Sequence, residues 1–137
     1  MYWQHPGDDM DLHLIAPGYD WNSAKTTEQD CYYGNCTWGG LDWGSQGDAA
    51  DNPALDIDDI PGTGPENINI SEPESVGAYT IVVHDYPGST YTEPNEVTIK
   101  VHLNGVMVYT ATKTIVGEDQ YVPFAMVDWA QAMIIPL

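Results

Sequence analysis

Fourteen Asp and seven Glu stand against three Lys and no Arg, a formal net charge of −18 at pH 7, and this imbalance constrains the fold more than any other feature. A compact chain with so few internal cations must disperse its acids in water, protonate them, or neutralise them with something external. Residues 1–60 are the extreme, with twelve acids and one Lys. A hard divalent cation is the economical neutraliser. Nucleic-acid backbones and anionic membranes are repelled by such a surface, so no nucleic acid is expected as a partner. Disorder is the other home of high charge, but 42% hydrophobic content, nine Tyr and five Trp supply material for a core.

A length of 137 residues suits one domain, 1–137. No stretch has the length and apolarity needed to span a bilayer, so membrane insertion is not expected. The start, Met1-Tyr2-Trp3-Gln4-His5-Pro6, lacks the charged and apolar regions of a signal peptide, and a piece of a longer secreted precursor would begin the same way.

Alternation starts at once. In the segment from Asp9 to Ile15, Met10, Leu12 and Leu14 share one strand face, and Asp9, Asp11 and His13 share the other. From about residue 19 to 53 the chain reads as a long irregular loop, a length that needs ligands, a disulfide or its own aromatics to hold it. Ala78–His84 and Val97–Leu103 are strands. Asn104-Gly105 before Val106–Thr110 predicts a two-residue type I′ hairpin, with Val97, Ile99, Val101 and Leu103 facing the core. Tyr121–Val127 and Ala130–Ile135 are further apolar segments, the last readable as a short helix or a strand. Short strands with 13 Gly and 10 Pro favour an all-β, antiparallel sandwich.

Cys31 and Cys36 enclose Tyr32-Tyr33-Gly34-Asn35. A disulfide closing this tight loop, with Gly34 or Asn35 at positive φ, implies an oxidising compartment; buried thiols are the alternative. Two cysteines do not complete a structural zinc site, and the spacing is not that of a redox motif. Asn35-Cys36-Thr37 and Asn69-Ile70-Ser71 fit the glycosylation acceptor pattern.

Asp9 with Asp11, and Asp56 with Asp58, fall at period two, so each pair projects from one face of an extended segment. Asp59, Glu66, Asn67 and Asn69 lie close in sequence. Two such strands offer several oxygens to one ion, and calcium, which accepts six to eight in tolerant geometry, suits them better than magnesium. The Asp56 segment departs from the EF-hand, with Pro61 and Asn67 at positions that need Gly and Glu. A solvated acidic face is the alternative. A histidine metal cluster of His13, His84 and His102 requires adjacent strands, and local hydrogen bonding is the preferred reading of these residues. Trp21, Trp38, Trp43, Tyr32 and Tyr33 serve either as an exposed platform for sugar rings or, preferably, as the loop's own core. No nucleophile elbow, zinc-protease signature or phosphate loop occurs.

Five segments in this order, Asp9–Leu14, Cys31–Cys36, Leu55–Asp59, Gly64–Ile70 and Gly77–His84, resemble the YfaP-like β-sandwich modules of secreted, periplasmic and lipid-anchored bacterial proteins. The resemblance implies an accessory module without catalytic apparatus, placed outside the cytoplasm or at the cell surface. It also implies an acidic cluster drawn from Asp9, Asp11, Asp56, Asp58, Asp59, Glu66 and Asn67. The expected function is a calcium-binding module that contacts a protein or glycan at the cell surface. The rival readings are a carbohydrate-binding module, a structural subunit of an extracellular assembly, and a hydrolase using two of the aspartates.

Overall fold

The alternating run near the chain start folds as β2 (Met10–Ile15), preceded by the two-residue β1 (Tyr2–Trp3). The computed structural model describes residues 1–37, 39–60 and 62–137. One helical turn, α1 (Trp21–Ala24), follows β2 and is capped by Asp20, whose carboxylate accepts from Ser23 N. Then come β3 (Asp30–Cys31), β4 (Ala54–Ile57), β5 (Asn67–Asn69), β6 (Tyr79–Asp85), β7 (Asn95–Leu103), β8 (Val106–Ile115), β9 (Tyr121–Asp128) and β10 (Met133–Pro136).

Their pairing is antiparallel and makes sheets of order β1-β7-β8, β10-β9-β6-β2-β3 and β4-β5. The first two pack against each other over Met10, Ile81, Val83, Val97, Ile99 and Phe124, the apolar faces that the alternation marks. The chain is therefore an all-β sandwich. Asn104 (φ 51°) and Gly105 (φ 78°) both take the positive φ that a type I′ turn requires, and Leu103 pairs with Val106. The segment near the end is a strand: Met133–Pro136 pairs with Ala125–Asp128.

Among the described residues within 19–53, only α1 and β3 are regular. Cys31 and Cys36 are joined as a disulfide, both buried, with Cα atoms 5.1 Å apart. They pack with Leu41, Trp43, Leu55 and Tyr79 as a second core. The expected positive φ at Gly34 or Asn35 is not adopted. The loop turns instead through Asn35 N and Cys36 N, which both donate to Tyr32 O (3.2 and 3.0 Å). Gly34 serves close approach, since a Cβ there would meet the Tyr32 ring at 2.6 Å.

This loop folds back over the second face of the five-stranded sheet. All seven residues of β6 are buried, and on β2 Asp11 and His13 are more deeply buried than Leu12 and Leu14. Burial of a polar face on both central strands positions the site described next.

Candidate metal centre

Strand pairing sets the site's first row. Asp11 on β2 lies opposite His84 on β6, and His84 lies opposite Tyr121 on β9, so the three side chains share one face of the sheet. His13, two residues along β2, occupies the same face. The His13 and His84 rings meet edge to face at 5.8 Å.

Both imidazoles are held on one nitrogen. His13 Nδ1 is 2.7 Å from Asp30 Oδ2, with both side chains buried, and His84 Nε2 is 3.0 Å from Asp119 Oδ1. Tyr32 stacks on His13 (5.2 Å) and Tyr121 on His84 (3.9 Å), which fixes the ring planes. His84 Nδ1 lies 3.6 Å from Asp11 Oδ2. Burial disfavours the His84 imidazolium, but its contacts with Asp11 and Asp119 outweigh that and raise its pKa.

Glu66 approaches Asp11 from the strand-edge side. A turn through Gly64 (φ 88°) delivers it, and a Cβ on Gly64 would strike Met1 O and Tyr2 Cα at 2.9 Å. Met1 and Glu66 exchange backbone hydrogen bonds of 2.7 and 3.0 Å. Glu66 Oε2 accepts from Leu12 N at 2.6 Å. Oxygens from Asp11, Asp58 and Glu66 lie within 4.8 Å of one another, and the same holds for one ligating atom each from Asp11, His13 and His84. Asp11 belongs to both groups.

The electrostatics of this end are severe. Burial, the bond from Leu12 N acting against it, and the neighbouring Asp11, Asp58 and Asp9 carboxylates leave Glu66 raised to about 9. Burial, then Asp11, Asp58 and Asp8, raises Asp9 to about 6. Asp58 is also raised, by burial and by Asp11. Among the described residues, Asp9 Oδ1, Asp11 Oδ2 and Glu66 Oε1 are buried without a hydrogen-bond partner, as is His13 Nε2. No lysine pairs with these carboxylates among the described residues: Lys25 lies over Tyr121, Lys100 over Tyr2, and Lys113 donates to Pro123 O and Leu137 O.

Four of the seven acidic-cluster residues expected from sequence come together: Asp9, Asp11, Asp58 and Glu66. The other three do different work. A register shift between Leu55 and Ile57 breaks the period-two geometry, and Asp56 is exposed, accepting from Asn67 Nδ2 at 2.9 Å and from Asn69 Nδ2. Asn67 thus spends its amide on Asp56. Asp59 accepts from Gly64 N at 2.7 Å and holds the turn that presents Glu66.

Histidine 102 lies on β7, paired with Met107 and exposed, far in the register from the His13 and His84 pair. Sequence reasoning did not select His84, Asp30, Asp119 or Tyr121 as a unit, since the β2–β6 and β6–β9 registers that unite them span most of the chain. Asp8 is also buried but fully used: its carboxylate accepts from Asp9 N, Ser89 Oγ and Asn95 Nδ2, fixing the loop before β2. Asp85 is raised to about 7, by burial and then by Asp8 and Glu118.

Among the described residues, the aromatic side chains do not form the exposed row of a sugar platform. Trp43 is buried, stacks near Tyr79 (6.2 Å) and donates from Nε1 to Glu28 O (2.7 Å). Trp21 is half-buried against Ile15, Ala24 and Val82. Tyr32 and Tyr33 are half-buried, Tyr32 stacked on His13 and Tyr33 edge to face with Tyr86. Trp38 lies outside the described residues. Asn35 is a poor glycosylation acceptor, because its amide nitrogen donates to Thr27 O and Asp30 O inside the loop. Asn69 is exposed.

Two hollows are present. One of about 390 Å³ opens between the sheets, lined by Leu12, Leu14, Ile81, Ile99 and Val101, and it reaches His13 and Glu66 of the site. The other, about 430 Å³, is lined by Asp48, Asp51, Glu72 and Glu74. Compared with protein-family models, with curated proteins and with solved structures, the chain finds no match in any of the three, and the likeness to YfaP-like modules rests on the quoted segments alone.

Proposed function

We propose that the protein is a calcium-binding β-sandwich module of an extracytoplasmic or cell-surface protein, in which the ion is structural and fixes a surface that contacts a protein or glycan. The observation that carries this reading is the set of buried, unpartnered carboxylate oxygens on Asp9, Asp11 and Glu66, the last two grouped with Asp58, with no lysine paired to them among the described residues. Leaving such groups unsatisfied costs about 1–3 kcal/mol each, and more when they are charged. One oxygen-seeking divalent ion among Asp11, Asp58 and Glu66 supplies a partner for the Asp11 and Glu66 oxygens and offsets the negative charge felt by Asp9. Calcium is favoured because the donors are carboxylates on a strand, a loop and a turn, an uneven set that a tight octahedron tolerates poorly. The buried disulfide fits an oxidising compartment.

Titration calorimetry of chelator-stripped protein with calcium, paired with melting curves, tests the reading. A binding heat and a rise in melting temperature are expected, both lost in the double variant D58N/E66Q. Absence of heat and of any melting shift at millimolar calcium would overturn it.

A further inference from the structure

The calcium reading leaves the histidine half of the constellation without a task. His13 and His84 are each bonded to a carboxylate on one nitrogen, Asp30 at 2.7 Å and Asp119 at 3.0 Å. The remaining nitrogens are Nε2 of His13 and Nδ1 of His84. In the neutral rings, donation to Asp30 and Asp119 places the proton on those nitrogens and leaves a lone pair on His13 Nε2 and on His84 Nδ1. Local hydrogen bonding explains half of this arrangement. It leaves His13 Nε2 buried with no partner, and Asp11 Oδ2 likewise, 3.6 Å from His84 Nδ1.

The geometry points to a transition-metal site formed by His13 Nε2, His84 Nδ1 and Asp11, taking a borderline divalent ion of the zinc class. One ligating atom from each residue already lies within 4.8 Å of the other two. Two imidazoles and a carboxylate match the donor preference of zinc, copper or nickel, whereas calcium wants oxygen alone. A carboxylate on the far nitrogen of each imidazole is the usual arrangement for orienting metal-bound histidines. Tyr32 and Tyr121 stacked on the two rings hold them in place. An ion here satisfies the two orphaned buried atoms with a single bond to each. The site stands apart from the calcium reading except for Asp11, which both share.

The test uses the whole chain at neutral pH, stripped with chelator and measured first without calcium and then saturated with it. Zinc is titrated by calorimetry, and cobalt(II) is added separately to read visible ligand-field bands, a signature that a purely structural histidine cannot give. One zinc ion per chain is expected, with imidazole-type cobalt bands. H13Q and H84Q should each weaken zinc at least tenfold. Asp119→Gly is the variant that keeps the fold, because Asp119 is exposed and already at positive φ (57°), which glycine accepts. As a positioning residue for His84, its loss should weaken zinc about tenfold. D58N/E66Q should lose calcium and retain zinc. The inference is overturned if the wild-type chain gives neither zinc heat nor cobalt bands, if zinc affinity is unchanged in H84Q and D119G, or if D58N/E66Q abolishes zinc binding.

Discussion

Asp11 Oδ2 lies 3.6 Å from His84 Nδ1, too far for a good hydrogen bond, while the same carboxylate stands within ligand distance of Asp58 and Glu66. One aspartate therefore joins two chemically different neighbourhoods across a single sheet face. The oxygen-rich side belongs to loops and turns, and the imidazole side belongs to paired strands. Substitutions can therefore address each side separately, apart from Asp11 itself.

Replacing Glu66 by Gln should stabilise the calcium-free protein while abolishing calcium binding. Gln keeps an acceptor for Leu12 N, turns its amide toward Asp11 and Asp58 as a donor, and is neutral without the proton that Glu66, raised to about 9, must take up on folding. A gain of about 1–3 kcal/mol in chelator is expected, the usual cost of a buried unsatisfied polar group. Urea denaturation with and without calcium measures both effects; a loss of stability in chelator would contradict this account of Glu66.

The pH dependence follows from the raised carboxylates. Glu66 at about 9, Asp85 at about 7 and Asp9 at about 6 all bind protons more tightly folded than unfolded. Their contribution to stability is complete below the unfolded values near 4 and is lost as pH rises through the folded ones. Metal-free protein should thus be more stable near pH 5 than near pH 8. Calcium, which favours the ionised forms, should add more stability as pH rises. Denaturation midpoints at several pH values, in calcium and in chelator, should diverge with pH; parallel curves would remove the carboxylates from the binding site.

W43A should destabilise the fold by about 3–5 kcal/mol, as truncation of a large buried aromatic does. The ring fills the second core beside the disulfide, Leu41, Leu55 and Tyr79. The check is a denaturation midpoint measured beside binding to a polysaccharide panel. A variant of wild-type stability with lost sugar binding would restore Trp43 to a ligand platform.

Alkylating the denatured, unreduced protein should add no mass, since Cys31 and Cys36 are joined. Reduction should cost about 2 kcal/mol by the loop-entropy model for so short a loop. It should also loosen Tyr32, the residue after Cys31, from its stack on His13. Mass spectrometry and denaturation midpoints before and after reduction test the first two statements, and near-ultraviolet circular dichroism of the stacked rings tests the third.

The sandwich was legible because its strands alternate cleanly and its hairpin turn has a sequence that demands positive φ. Asp9 and Asp11 were legible for the same reason, as was Glu66 through the segment around it. Asp56 was misread because a bulge, invisible in composition, rotates it toward Asn67 and Asn69. Asp59 looked like a ligand because an acid that caps a turn has the same sequence neighbours as one that binds an ion. His84 joined the site only through long-range pairing, and nothing local to Val83-His84-Asp85 announces its partner. Nor did alternation reveal that the polar face of β2 would be the more buried one, since that depends on where a long loop comes to rest.

The β2–β6 pairing also has a kinetic consequence. Asp11 and His84 lie more than seventy residues apart in the chain, and β2 finds its partner only after that intervening segment is closed. A cation that needs both strands is therefore expected to meet its ligands late, on the native side of the folding barrier. Its stabilisation should fall mainly on the escape from the native state, slowing unfolding while leaving the refolding rate nearly unchanged. Stopped-flow chevrons recorded with and without metal should share their refolding limb and separate along the unfolding one.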